Sequence, residues 1–220
     1  MSLERSVIWR RLDVPGMDAG QFRSGTAGWR IGGTAIFVED GSIAKLAYEL
    51  TCDADWSTRS FSVSGWVGER QLALHLERSD SAGWRTSDAG PSAVSDAGLS
   101  AVTSEALPPS HGSVDWQHLV DVDLGFTPAT NTNAIRRLDL KPGQEAETTA
   151  LWLDTSDWML KPLPQVYRRK TETLLAYESP LHDFRADLTS DSFGVIENYP
   201  GLWAAMRIEA YDSRKPCSAA

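Results

Sequence analysis

The sequence predicts an all-β protein, mainly antiparallel, and three observations predict it. Apolar residues alternate with polar ones at a period of two over much of the chain, as in strands that bury one face. The apolar runs are short and are cut by Gly, Pro, Asn and Asp at the intervals a meander requires. Only one stretch, after Pro128, spaces its apolar residues as a helix does.

Taken in order, "GTAIFVEDGSIAKLAYELTCD" (33–53) holds two apolar runs around Asp40-Gly41, a dipeptide suited to two-residue hairpins because both positions adopt positive φ. "STRSFSVSGWVG" (57–68) sets Phe61, Val63 and Gly65 on one face against Ser60, Ser62 and Ser64 on the other. "RQLALHLER" (70–78) follows with Leu72, Leu74 and Leu76, so the "VGE" between the two runs reads as a second hairpin turn. After "KPG" (141–143) the same rhythm continues to the end of the chain. "YPGLWAAMRIEAY" (199–211) is read as strand, although its WAAMR would also suit a short helix.

The rhythm breaks from Ser79 to Gly112, where Ser, Ala, Gly and Pro dominate. "SDAGPSAV" (87–94) is followed at once by "SDAGLSAV" (95–102), a tandem octapeptide with one substitution. A repeat so short and polar buries too little surface to offset its ordering entropy. We therefore read a mobile insertion at about 80–112 within a single domain of residues 1–211, followed by a disordered tail at 212–220.

For the helix, "TNTNAIRRLDL" (130–140) offers Thr130, Asn131 or Thr132 as an N-cap and places Ala134, Ile135 and Leu138 on one face. Arg136 and Arg137 then fall in the last turn, where the helix dipole favours cations. A strand through the same residues is the competing assignment.

With 41% hydrophobic residues and nine Trp among 220, the chain can build a core. A net charge of −9 opposes a phosphate backbone, so no nucleic-acid partner is expected. No segment approaches 18 apolar residues, and the N-terminus has no uninterrupted apolar core of a signal peptide; a cytoplasmic location is expected. Cys52 and Cys217 have no metal-ligand spacing, the four histidines are not grouped, and neither metal nor cofactor is expected.

The chemistry concentrates in "VDVDLGFTPATNTNAIRRLDL" (120–140). Asp121 and Asp123, two apart on a strand, share one face with Cα atoms about 6.6 Å apart. They suit sugar hydroxyls, or a solvated face, or the neutralisation of a buried arginine, with one of Arg136 and Arg137 forked onto a carboxylate and the other in solvent. Asn131 is a further polar candidate. Asp53, Trp56 and Arg59 in "CDADWSTR" have the composition of a carbohydrate subsite, and equally that of an inter-strand turn with a Trp plugging the core. The carboxylate pair overlaps the spacing used by glycosidases. Beyond that spacing no catalytic motif is present, and an enzyme is not the favoured reading.

The motif 121–140, with "CDADWSTRSFSV" upstream and "VYRR", "LAYES" and "FRADLTSDSFGVIENYPGLW" downstream, resembles the bacterial Putative glycolipid-binding family, formerly a domain of unknown function. The resemblance runs from about Trp29 to Tyr211, the insertion excluded. It departs from the family pattern at Asn133-Ala134, where Leu-Pro is more typical. It implies a long antiparallel sheet rolled around one short helix, distantly like lipoprotein carriers, with an acidic pocket and a tight homodimer. On that basis the expected ligand is a glycolipid or similar amphiphile. The acidic cluster would hold its polar end, and Trp56, Tyr167, Tyr177, Phe184 and Trp203 would line the apolar part. A glycosidase-like hydrolase and a non-catalytic structural dimer are the alternatives.

Overall fold

The structure, a computed structural model, describes residues 1–81, 83–86 and 118–211. The octapeptide duplication, the expected insertion beyond Thr86, Cys217 and the expected tail lie outside the described residues.

Seven strands follow one another as a meander: β1 (Ser2–Arg11), β2 (Gly16–Gly25), β3 (Gly28–Glu39), β4 (Ser42–Cys52), β5 (Thr58–Val67), β6 (Arg70–Ser79) and β7 (Gly83–Thr86). Then come β8 (Asp121–Leu124) and α1 (Ala129–Leu138). A second meander closes the chain: β9 (Glu145–Asp154), β10 (Met159–Arg169), β11 (Leu174–Ser179), β12 (Phe184–Ser190), β13 (Ile196–Tyr199) and β14 (Trp203–Ala210). All fourteen strands form one sheet in the order β7-β6-β5-β4-β3-β2-β1-β14-β13-β12-β11-β10-β9-β8. The two meanders are sewn together where β1 pairs antiparallel with β14.

The hairpins fall where the turn residues demand. Asp40 and Gly41 have φ of 47° and 77°, and Gly68 has 56°. Phe61, Val63, Leu72, Leu74 and Leu76 are all buried, as the alternation requires. Residues 199–211 hold the end of β13, a turn and β14, so the strand assignment stands over the helical one.

Two local features differ from expectation. Gly83–Thr86 is a strand on β6, although its surroundings read as loop. Trp84 explains it: its ring is buried edge-on to Phe61, and its Nε1 donates to the Leu119 carbonyl at 2.8 Å. The helix also begins earlier than any of the proposed caps, with Pro128 at the N-cap and no side-chain cap bond. Thr127 Oγ1 instead accepts the Ala129 N–H at 3.0 Å.

β8 and β9 are parallel, the exception in an otherwise antiparallel sheet. Parallel neighbours need a crossover, and α1 is that crossover. The sheet curls around it: Thr58 N–H, on β5, donates to the Val120 carbonyl just before β8 at 2.9 Å, so the two ends of the sheet approach. Ala129 to Ile135 are all buried. A helix enclosed on all sides is ordinarily apolar throughout, yet four of these residues are Thr130, Asn131, Thr132 and Asn133. Three find partners across the roll. Thr130 Oγ1 accepts the Leu124 N–H, Asn131 Nδ2 donates to the Tyr167 hydroxyl, and Asn133 Nδ2 donates to Thr58 Oγ1.

Candidate functional site

β8 places Asp121 and Asp123 at the interior edge of the sheet, beside α1, and their surroundings diverge. Asp121, 1% exposed, receives a two-pronged contact from Arg137, with Nε to Oδ1 at 2.7 Å and Nη2 to Oδ2 at 2.6 Å. Thr148 on β9 donates to the same Oδ2 at 2.8 Å. The predicted fork of one arginine onto the pair is therefore formed, by Arg137 on Asp121.

Among the described residues no cation pairs with Asp123. Gln165 Nε2 on β10 donates to its Oδ2 at 2.7 Å and reaches the Tyr177 hydroxyl at 3.0 Å. Burial, with a smaller contribution from the charge of Asp121, raises its carboxyl to about 6 against the lowering by Gln165. Tyr177 stands edge-on to Tyr167 at 5.1 Å and to Tyr199 at 5.9 Å. Burial holds all three phenols above their ordinary range, so each stays a neutral hydroxyl.

These groups border a cavity of about 180 Å³. Asp123, Asn131 and Tyr177 give it polar points, while Trp152, Leu163, Phe184 and Trp203 give it an apolar wall. Five residues anticipated from the sequence thus meet here: Asp123, Asn131, Tyr177, Phe184 and Trp203. Tyr167 stands behind them, holding Asn131 at 3.1 Å. Asp121 is spent on Arg137 and does not line the cavity, so the two carboxylates are not presented together to one substrate.

The remaining candidates lie elsewhere. Arg136, the arginine left over from the fork, is not free in solvent but stacked over Trp56 and Phe193 at the other end of α1. Trp56 is buried and stacks on Trp29, with centroids 4.2 Å apart, plugging the core as the structural alternative held. Its φ of 71° puts it in the left-handed region, where a bulky residue is strained. Asp53 and Arg59 pair at 2.7 Å on the partly exposed side, with Asp80 as a third member.

Sequence reading missed Tyr199, Trp152 and Leu163 at the cavity, and Gln165, which holds Asp123. It also missed a buried carboxylate, Asp18 on β2, whose Oδ2 accepts from Tyr48 at 2.8 Å and Thr127 at 2.5 Å. Its Oδ1 has no partner among the described residues, and burial raises the group to about 6. Its signal was an Asp at a core-facing position of an alternating strand. Cys52 is buried, and burial pushes its thiol up to about 12, which removes it as a nucleophile at neutral pH. Among the described residues no three His, Cys, Asp or Glu side chains are grouped to hold a metal ion. No helix there is long and apolar enough to cross a membrane.

The fold is thus an open sheet curled around a buried helix, with a small cavity lined by aromatic and polar side chains beside the helix N-terminus. The profile described as "Putative glycolipid-binding" matches residues 6–205, and the chain belongs to that family. A crystal structure of a DUF1089 family protein from Pseudomonas aeruginosa is similar at 25% identity and a TM-score of 0.66, covering 85% of this chain and 91% of that one. A β-barrel-like protein of the DUF1849 domain of unknown function from Brucella abortus aligns at 11% identity with a TM-score of 0.49, covering 96% and 99%. No curated protein matches the chain.

Proposed function

We propose that the protein binds a glycolipid or a similar amphiphile, with one end of the ligand in the cavity beside Asp123. The observation that carries this reading is the cavity's make-up. A carboxylate and two tyrosines line it together with Trp, Phe and Leu side chains. Sites for small molecules combine an apolar lining with a few placed polar groups in this way. At about 180 Å³ the space takes a single sugar ring or chain end, not a whole lipid. The remainder would lie outside it, and one of its lining residues, Trp152, meets His182 edge-on at 5.1 Å, next to Leu181, which is 62% exposed. Membership of the family points the same way.

Titration with an alkyl glycoside, followed by the fluorescence of Trp152 and Trp203, tests the reading. Saturable binding is expected, and Asp123→Asn should weaken it roughly tenfold, the loss of one charge-assisted hydrogen bond. Undiminished binding in both Asp123→Asn and Tyr177→Phe would end the reading.

Self-association belongs to the same proposal. The sheet edges are short, four residues each in β7 and β8, which blunts them. The outer face offers more: Met17 and Ile36 are direct cross-strand partners, each 47% exposed, which supports a homodimer. Sedimentation at micromolar concentration that returns only a 24.2 kDa species would exclude it.

A further inference from the structure

The C-terminal end of α1 carries a second arrangement, with Arg136 about 7.5 Å along the helix from Asn131 at 1.5 Å rise per residue. Arg136 lies with its guanidinium carbon 5.3 Å from the Trp56 centroid and 5.0 Å from that of Phe193. Its stem runs under the bend 191–195. A Cβ on Gly194, whose φ is 104°, would come within 3.3 Å of Arg136 Cδ and of Ile135 Cγ2. The side chain is therefore fixed by packing before any ligand arrives. Yet among the described residues it has no hydrogen-bond acceptor and no ion-pair partner, and its Nε is buried without one. Stacking on ring faces occupies the plane of a guanidinium and leaves its edge donors for an anion.

Arg169, at the end of β10, is the second such group. It is buried, and among the described residues its side chain donates only to the Glu172 carbonyl, at 3.0 Å. Burial pulls its guanidinium down, and the charges of Glu172 and Asp139 oppose that pull only in part. Arg136 and Arg169 line one cavity of about 110 Å³, together with Lys141, Asp139, Glu172 and Asp191. Two of those three acids are already engaged. Asp191 Oδ1 accepts the N–H groups of Phe193, Gly194 and Val195, and its Oδ2 accepts Arg5 Nε. Asp139 pairs with Lys141 at 2.9 Å. Glu172 remains, and its side chain is exposed.

We propose that this cavity is a second ligand site, which takes one phosphate monoester group on Arg136 and Arg169. Guanidinium forks match a tetrahedral oxyanion, and two of them that form no ion pair among the described residues supply the charge. The volume equals three or four waters at about 30 Å³ each. That is room for a phosphate group and not for a nucleoside. A free phosphate compound and a phospholipid both carry such a group, and the arms of the test separate them.

The test is titration of the full-length, ¹⁵N-labelled protein at neutral pH with inorganic phosphate, with glycerol 3-phosphate, and with phosphatidylcholine vesicles containing or lacking phosphatidic acid. The Nε–Hε signals of Arg136 and Arg169 are the readout. Saturable shifts of both are expected in at least one arm. Response to the soluble probes assigns the free source; response only to vesicles with phosphatidic acid assigns the lipid. Arg169→Gln should weaken binding roughly tenfold, as should Arg136→Lys, which keeps the charge but loses the fork. Glu172→Gln lies on the surface and does not threaten the fold; it should tighten binding severalfold. Asp123→Asn should change nothing here, which separates this site from the first. Shifts that stay linear in every arm, or that persist unchanged in Arg169→Gln, would mean an adventitious ion only and overturn the proposal.

Discussion

The two ends of β8 hold the same side chain in opposite situations. Asp121 is closed off and charge-matched, gripped by Arg137 and Thr148 with nothing left over for a ligand. Asp123, two residues on, meets only the amide of Gln165 and opens on a cavity lined by tyrosines and tryptophans. The first is built for stability and the second is held at a cost, since burial without a cation raises its carboxyl to about 6. A residue type and a spacing could not have separated them. What separates them is which strand or helix lies opposite.

The largest expected effect breaks the Asp121 end. Asp121→Asn leaves the Arg137 guanidinium half-enclosed without its counter-charge, and loss of one member of a buried pair costs about 3 to 5 kcal/mol. Urea melts at neutral pH should show that loss. A change below about 1 kcal/mol, the scale of an exposed pair, would show that the fork is dispensable.

The Asp123 end should respond with the opposite sign. The folded carboxyl titrates near 6 and its ordinary value is 3.8, so the folded state binds its proton more tightly than the unfolded chain. Stability from this group is therefore complete below about pH 4 and is lost as pH rises through 6. With a shift of about two units, the amount is on the order of 3 kcal/mol. Asp18 titrates near 6 for the same reason and doubles the slope in that window. Melts between pH 4 and 8 should show it, with Asp123→Asn removing part of the slope and leaving the protein at neutral pH as stable as before or more so. A variant that is less stable at neutral pH yet binds ligand when folded would turn Asp123 into a second brace.

These sites show how far the sequence could be read. Alternation, the Asp40-Gly41 turn and the position of α1 are local signals, and each was legible. The fork of an arginine onto the acidic pair was legible as well, because both partners lie within one 20-residue stretch. Gln165 and Tyr199 were not: they reach Asp123 through the order β13-β12-β11-β10-β9-β8, and a period-two pattern says which face a residue occupies, not which strand is next to it. The same limit hid the parallel pairing of β8 with β9. Trp84 was lost in a Ser/Ala/Gly-rich window, although one buried indole suffices to order four residues of strand. The burial of "TNTN" ran against composition, because polar helices ordinarily face water, whereas here three of the four side chains find a partner across the roll.

A smaller effect is expected behind the cavity. Tyr167→Phe removes the hydroxyl that accepts from Asn131 and leaves that amide buried and unpaired, at about 1 to 2 kcal/mol. If Asn131 matters to the ligand chiefly through its orientation, affinity should fall along with stability, and a parallel Asn131→Ala should add little further loss. Additive losses would show that the two side chains act separately.

The smallest effect isolates burial as the variable. Arg59 and Asp53 make a contact much like that of Arg137 and Asp121, with Nε 2.8 and 2.7 Å from the two carboxylate oxygens, but their side chains are 38% and 30% exposed. Water screens this pair and solvates whichever partner is left behind. Arg59→Ala should therefore cost between about 0 and 1 kcal/mol, the range for surface ion pairs. The cost should shrink further in high salt, where the Debye length falls to about 3 Å at 1 M. The Asp121→Asn loss should stay nearly constant over the same salt range, because ions do not reach that carboxylate. Matched melts of the two variants at low and high salt would decide the point. Equal salt sensitivity would mean that the Asp121 end is far wetter than its 1% exposure indicates, and the contrast along β8 would have to be redrawn.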